Sequence, residues 1–132
     1  MSPQSETPQR ILVVDDNRDA ADTLAMLLEF LNYEVRTAYD GQQAVDVALQ
    51  FEPNLVILDI HMPVMNGYEA ARELRGRAGT GRTGTGRTVL VALTAVATPD
   101  AQDKAKEAGF DIHLAKPVDG GELANLLERV LH

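Results

Sequence analysis

Five residues of this 132-residue chain could do chemistry together if a fold gathered them. Asp15 and Asp16 follow the apolar run Ile11–Val14, Asp59 follows Leu55–Leu58, Thr94 follows Val89–Leu93, and Lys116 follows the weaker run Asp111–Ala115. Three carboxylates held close together repel, and their joint ionisation is costly unless a cation sits among them. Mg²⁺ suits such a set, because it takes oxygen ligands and keeps several waters while using one or two carboxylates and phosphate oxygens. A carboxylate in such a site can accept a phosphoryl group as an acyl phosphate. The metal and an ammonium then neutralise the transferring oxygens. The residue types alone point to Mg²⁺-dependent phosphorylation of an aspartate.

These groups converge only if the preceding segments are parallel strands. The three strong runs are short, nearly continuous and rich in Val, Ile and Leu, which suits strands buried on both faces. Glu34–Ala38 and Asp111–Ala115 are weaker strand candidates. Between them lie amphipathic helix patterns. The first carries Ala20, Leu24, Leu27, Leu28 and Leu31, and the second carries Ala44, Val47, Ala48 and Phe51. The third starts at Asn66 or Gly67 and carries Tyr68, Ala71 and Leu74. The fourth starts at Thr98-Pro99-Asp100, with Thr as cap and Pro at the first helical position. Its inward face is only Ala101, Ala105 and Ala108, so it is thinly anchored. The fifth carries Leu123, Leu126, Leu127 and Val130. Strand and helix alternate five times, which predicts an open parallel sheet with helices on both faces and right-handed crossovers. Ligands in such sheets bind beyond the carboxyl ends of the strands.

Composition narrows the function classes. Twelve Lys and Arg against twenty Asp and Glu give a formal charge of −8, a poor balance for holding nucleic acid or an anionic membrane. The absence of cysteine excludes a disulfide scaffold, a thiolate metal site and a Cys nucleophile. No apolar run approaches bilayer length, and a cytoplasmic location is expected. Residues 1–9 are polar and read as a tail, leaving 10–132 as one domain. Residues 79–83 and 84–88 both read GTGRT, a tandem duplication expected to form a flexible loop. Gly79, Gly81 and Gly84 spell G-x-G-x-x-G there, and Gly81, Gly86, Arg87 and Thr88 spell a phosphate-loop pattern with Arg in place of Lys. Both motifs need a strand before and a helix after, and here the order is reversed.

The chain resembles the receiver domains of two-component response regulators. The resemblance rests on Val13-Val14-Asp15-Asp16-Asn17, on Leu58-Asp59-Ile60-His61-Met62-Pro63-Val64-Met65-Asn66-Gly67, on Ala92-Leu93-Thr94-Ala95 and on Lys116-Pro117, four motifs in register at strand ends. It implies a doubly wound, flavodoxin-like (CheY-like) α/β fold, a five-stranded parallel sheet of order 2-1-3-4-5 with five helices. It implies Asp59 as phosphoacceptor, with Mg²⁺ (or Mn²⁺ as an alternative ion) held by Asp16, Asp59, the His61 backbone carbonyl and, mainly through water, Asp15. Lys116, oriented by a cis Lys116-Pro117 bond, would pair with the acceptor and then with the phosphoryl group. Thr94 would donate its hydroxyl to that group and report phosphorylation. The implied partners are a histidine kinase or histidine phosphotransfer domain as donor and a downstream protein as target, with the chain as monomer or phosphorylation-dependent dimer. The implied role is a phosphorelay switch rather than a metabolic enzyme.

Three positions depart from the family's pattern or modulate it. His113 stands where a switching Tyr or Phe is common; it is expected either to switch or, more simply, to be a surface histidine on a strand edge. His61 and Val96 stand where side chains influence attack of water on the acyl phosphate. Two rival readings remain. Aspartate-nucleophile phosphatases of the haloacid dehalogenase type need a second acid two residues after the nucleophile, where this chain has Asn17 or His61. A phosphorylation-independent pseudo-receiver usually lacks an acceptor, lysine or acidic pair, and none is missing here.

Overall fold

The computed structural model of the chain describes residues 9–60, 62, 66–77, 88–95 and 98–131. The elements alternate as β1 (Arg10–Val14), α1 (Arg18–Phe30), β2 (Glu34–Ala38), α2 (Gly41–Phe51), β3 (Leu55–Asp59), α3 (Gly67–Arg77), β4 (Val89–Thr94), α4 (Pro99–Ala108), β5 (Ile112–Ala115) and α5 (Gly120–Leu131). The strands form one parallel sheet in the order β2-β1-β3-β4-β5. This is the doubly wound α/β fold expected, with each predicted strand within a residue or so of its place.

The sheet is buried on both faces because its central strands carry no polar face. Leu12, Val14, Val56, Leu58, Leu90 and Ala92 pack against α2, α3 and α4. Ile11, Val13, Leu55, Ile57, Val91, Leu93 and Leu114 pack against α1 and α5. Each large side chain so buried stabilises the fold by about 1.5–3 kcal/mol over leaving it exposed.

Each helix starts on a side-chain cap, which ends the preceding connection abruptly. Asn17 Oδ1 accepts from Ala20 N at 3.1 Å, Asp40 Oδ1 from Gln43 N at 2.8 Å and Thr98 Oγ1 from Ala101 N at 3.2 Å. Asn66 Oδ1 accepts from Glu69 N at 2.9 Å while Glu69 Oε1 accepts from Asn66 N at 3.2 Å, a reciprocal capping box that makes Gly67, not Asn66, the first helical residue. Asp119 Oδ1 accepts from Gly121 N at 2.9 Å.

One predicted face is displaced. In α1 the buried residues are Ala21, Ala25 and Leu28, while Ala20 is exposed and Leu24, Leu27 and Leu31 are half-buried. Small alanines let the helix lie close on the sheet, and the leucines straddle outward beside them. The expected fourth-helix face holds, with Ala105 and Ala108 buried and Ala101 half-buried. The N-terminal residues 1–8 and residues 79–87 of the duplicated segment lie outside the described residues.

Candidate phosphoryl and metal site

Parallel pairing brings the ends of β1, β3, β4 and β5 to one rim. Val14 pairs with Leu58, Asp59 with Leu93, and Thr94 with Ala115. The ladder runs on past the strands, with Ile60 N donating to Leu93 O at 3.0 Å and Lys116 N to Thr94 O at 2.9 Å. Asp15 N donates to Ala38 O at 3.2 Å, which ties the first acidic residue to the end of β2. The side chains after these strands are therefore positioned by backbone bonds rather than by their own packing.

Three of the predicted residues meet here. Carboxylate oxygens of Asp15, Asp16 and Asp59 lie within 4.8 Å of one another. Asp15 and Asp59 are buried, and Asp16 is exposed at the mouth. Asn17 N donates to Asp15 Oδ1 at 3.0 Å, so the backbone that starts α1 also aims the carboxylate. Lys116 completes the group: its Nζ is 3.2 Å from Asp59 Oδ2 and 3.4 Å from Asp15 Oδ2. Burial pushes the Lys116 pKa down, but the Asp59 and Asp15 carboxylates push it up by more, and the net position is above its ordinary value. The Lys116-Pro117 bond is cis.

The donor set fits a hard divalent cation. Oxygens on opposite corners of a Mg²⁺ octahedron stand about 4.1 Å apart. Carboxylate oxygens within 4.8 Å of one another are close enough to share one such ion. Three carboxylates against one ammonium leave a formal excess of two negative charges, which a divalent ion cancels.

Thr94 ends β4 between Asp59 and Lys116 on neighbouring strands, with its side chain buried. His113 corrects the simpler expectation of a surface histidine. It pairs with Ala92, whose side chain faces α4, and is half-buried, with Nε2 shut off from solvent and without a hydrogen-bond partner among the described residues. A strand-edge position did not expose it because α4 covers that face. His61 and Val96 lie outside the described residues.

Two contributors were not singled out from sequence. Asn17 was quoted as part of a motif, yet its N–H holds Asp15. Gly67 allows the connection after β3 to close: a Cβ there would stand 2.6 Å from Ile60 Cα and 2.7 Å from Asp59 O. Gly67 N also donates to Ile60 O at 2.8 Å. The Asn66-Gly67 dipeptide was the available signal. A mainly apolar groove between α1 and the segment after β5, lined by Ala20, Leu24, Leu27, Pro117 and Val118, opens beside Asp15 and Lys116.

Residues 11–128 match the family model of the response regulator receiver domain. The chain is 37% identical over 124 residues to the response regulator MprA of Mycolicibacterium vanbaalenii, an alignment covering 94% of this chain and 51% of that protein. The chain spans about half, or less, of the length of the first curated relatives it matches. The solved structure of the chemotaxis protein CheY4 of Vibrio cholerae is similar over 94% of this chain and 99% of that one, with a TM-score of 0.85 and 29% identity. The receiver domain of the sensor histidine kinase PA1611 of Pseudomonas aeruginosa PAO1 is similar over 95% of this chain and 98% of that one, with a TM-score of 0.80 and 33% identity. That structure has a magnesium ion coordinated in its active site cleft.

Proposed function

This chain belongs to the response regulator receiver domain family, a regulatory domain of two-component signalling, and from that premise we propose that it takes a phosphoryl group onto Asp59. The observation that carries the reading is the gathering of Asp15, Asp16 and Asp59 within 4.8 Å with Lys116 against two of them. Asp15, Asp16, Asp59 and the His61 carbonyl would hold Mg²⁺, or Mn²⁺ in its place. The bound ion supplies charge neutralisation for the phosphoryl oxygens.

The chain's own residues do the rest. An Asp59 carboxylate oxygen attacks phosphorus, a P–O bond forms and the donor's P–N bond breaks, and the departing imidazole takes up a proton. Lys116 passes from the Asp59 carboxylate to the phosphoryl oxygens, and Thr94 donates its hydroxyl to them. The group is lost when water attacks phosphorus and the P–O bond to Asp59 breaks, which returns the Asp59 carboxylate and inorganic phosphate. His61 and Val96 set the rate of that step. Thr94 and His113 carry the change to the surface at α4 and β5.

The donor is a phosphohistidine on a histidine kinase or phosphotransfer domain, for which the apolar groove beside Lys116 offers a landing surface. The target is a downstream protein, with the chain acting as monomer or phosphorylation-dependent dimer. Residues 10–132 are taken as the receiver domain. No described helix is long and apolar enough to cross a membrane, and a cytoplasmic site of action fits the reading.

The test is the intact mass after incubation with Mg²⁺ and acetyl phosphate, beside Asp59→Asn. One added phosphoryl group, absent without Mg²⁺ and in the variant, supports the assignment. Failure to take up phosphate together with failure to bind Mg²⁺ and beryllofluoride would turn the reading to a pseudo-receiver.

A further inference from the structure

At the rim opposite the acidic cluster, one guanidinium joins three segments remote in sequence. Arg75, near the end of α3, donates from Nη1 to Thr88 O just before β4 at 2.8 Å. Its Nη2 donates to Gly109 O, at the C-cap of α4, at 2.8 Å and to Asp111 Oδ2, just before β5, at 2.7 Å. The same Asp111 oxygen accepts from Leu90 N at 2.9 Å, and Asp111 N donates to Leu90 O at 2.8 Å. Gly109 has a φ of 107°, and a Cβ there would stand 3.4 Å from the Arg75 Cβ and Cγ. The arginine stem therefore lies directly on the residue where α4 ends.

The helix is anchored unevenly. Its buried residues, Ala105 and Ala108, are both in its C-terminal half, and Phe110 follows them into the core. Its N-terminal half carries the exposed Thr98, Pro99 and Asp100 and the half-buried Ala101, and it stands at the rim where Thr94 ends β4. A rod about 15 Å long, held at one end and loose at the end nearest the site, is a lever.

We propose that Arg75 is the pivot of α4. It fixes the C-terminal end of that helix to the starts of β4 and β5, so that a change at the strand carboxyl ends swings the N-terminal half about Gly109. The lever rests on the reading of Asp59 as phosphoacceptor; the anchoring of Gly109 does not. The Arg75 Nε, buried and without a hydrogen-bond partner among the described residues, lies against Gly109 and is a donor still open to a second arrangement of this joint.

Hydrogen exchange on the full chain, with and without Mg²⁺ and beryllofluoride, tests this, with fluorine NMR to record binding. In the parent chain the ligand should change protection in residues 99–104 and leave 105–112 unchanged. In Arg75→Gln, with binding retained, the amides of residues 110–112 should exchange about tenfold faster and the ligand-induced change should spread along the whole helix. Arg75→Lys, which keeps the charge but not the fork, should fall between. Asp111→Asn loses the ion pair with little change of shape, and it should loosen the same amides if Arg75→Gln does not fold. Binding with the parent exchange pattern in these variants overturns the pivot alone. Failure of the parent chain to bind beryllofluoride overturns the Asp59 reading and the lever with it, while the exchange of residues 110–112 without ligand still reports on the anchor.

Discussion

Lys116 Nζ lies 3.2 Å from Asp59 Oδ2 although β3 and β5 are not neighbours. The side chain reaches past the end of β4, where Thr94 stands, to meet the acceptor carboxylate. That span makes the lysine the one cation in direct ion-pair contact with the acidic cluster among the described residues, bridging its two buried members.

The pH dependence of stability follows from this bridge. The Lys116 pKa is raised in the folded chain above its ordinary value of 10.5. A raised lysine pKa means that the folded state holds its proton more tightly than the unfolded state. The stabilisation is fully present below the unfolded pKa and is lost as pH rises through the folded one. Thermal melts of the metal-free protein from pH 9 to 12 should show a loss of stability above about 10.5 that is smaller in Lys116→Met, where the raised pKa of Tyr33 still contributes its share. Identical slopes in the two proteins would remove the bridge as a source of stability.

Without metal, Asp59 faces two like charges and one opposite one. Asp59→Asn should therefore raise stability by about 1 kcal/mol in chelator. Mg²⁺ should stabilise the parent chain through binding to the folded state alone and should do much less for the variant. Urea denaturation with EDTA and with Mg²⁺ checks both signs, and a variant less stable than the parent in EDTA would contradict the balance of charges.

Gly67 is a steric requirement rather than a conformational one. Gly67→Ala places a methyl group against the backbone of Ile60 and Asp59, and neither can give way without moving the end of β3. The expected cost is about 2 kcal/mol or more, with Mg²⁺ affinity reduced because the acceptor strand shifts. Gly121→Ala is the control, since a Cβ there meets only Asp119 Oδ1 at 3.5 Å. Equal denaturation midpoints for the two variants would show that the connection after β3 adjusts freely.

Much of this was legible in sequence because the signals were redundant. Central strands with no polar face could only sit inside a covered sheet, and the residues after them then had to share a rim. Asp15, Asp16, Asp59 and Lys116 were readable for that reason. The face of α1 was not, because hydrophobic periodicity favours leucine, whereas close approach to the sheet favours Ala21 and Ala25. His113 was unreadable because its exposure depends on α4 lying over β5, not on its own neighbours. Arg75 looked like any helix-end arginine; its partners are 13, 34 and 36 residues away.

The two rims of the sheet are open to different kinds of alteration. Arg77 leaves α3 and Thr88 enters β4 at the rim opposite Asp59, about one strand length, or 16 Å, away. Arg75 bonds the Thr88 carbonyl and Thr88 Oγ1 donates to Pro53 O at 3.1 Å, so the point of re-entry is secured from both sides. Both points stand away from the reactive rim, and the pentapeptide that occurs twice in the sequence falls between them. The same port would accept a fluorophore or an affinity tag, giving a reporter attached to the switch without standing in its chemistry.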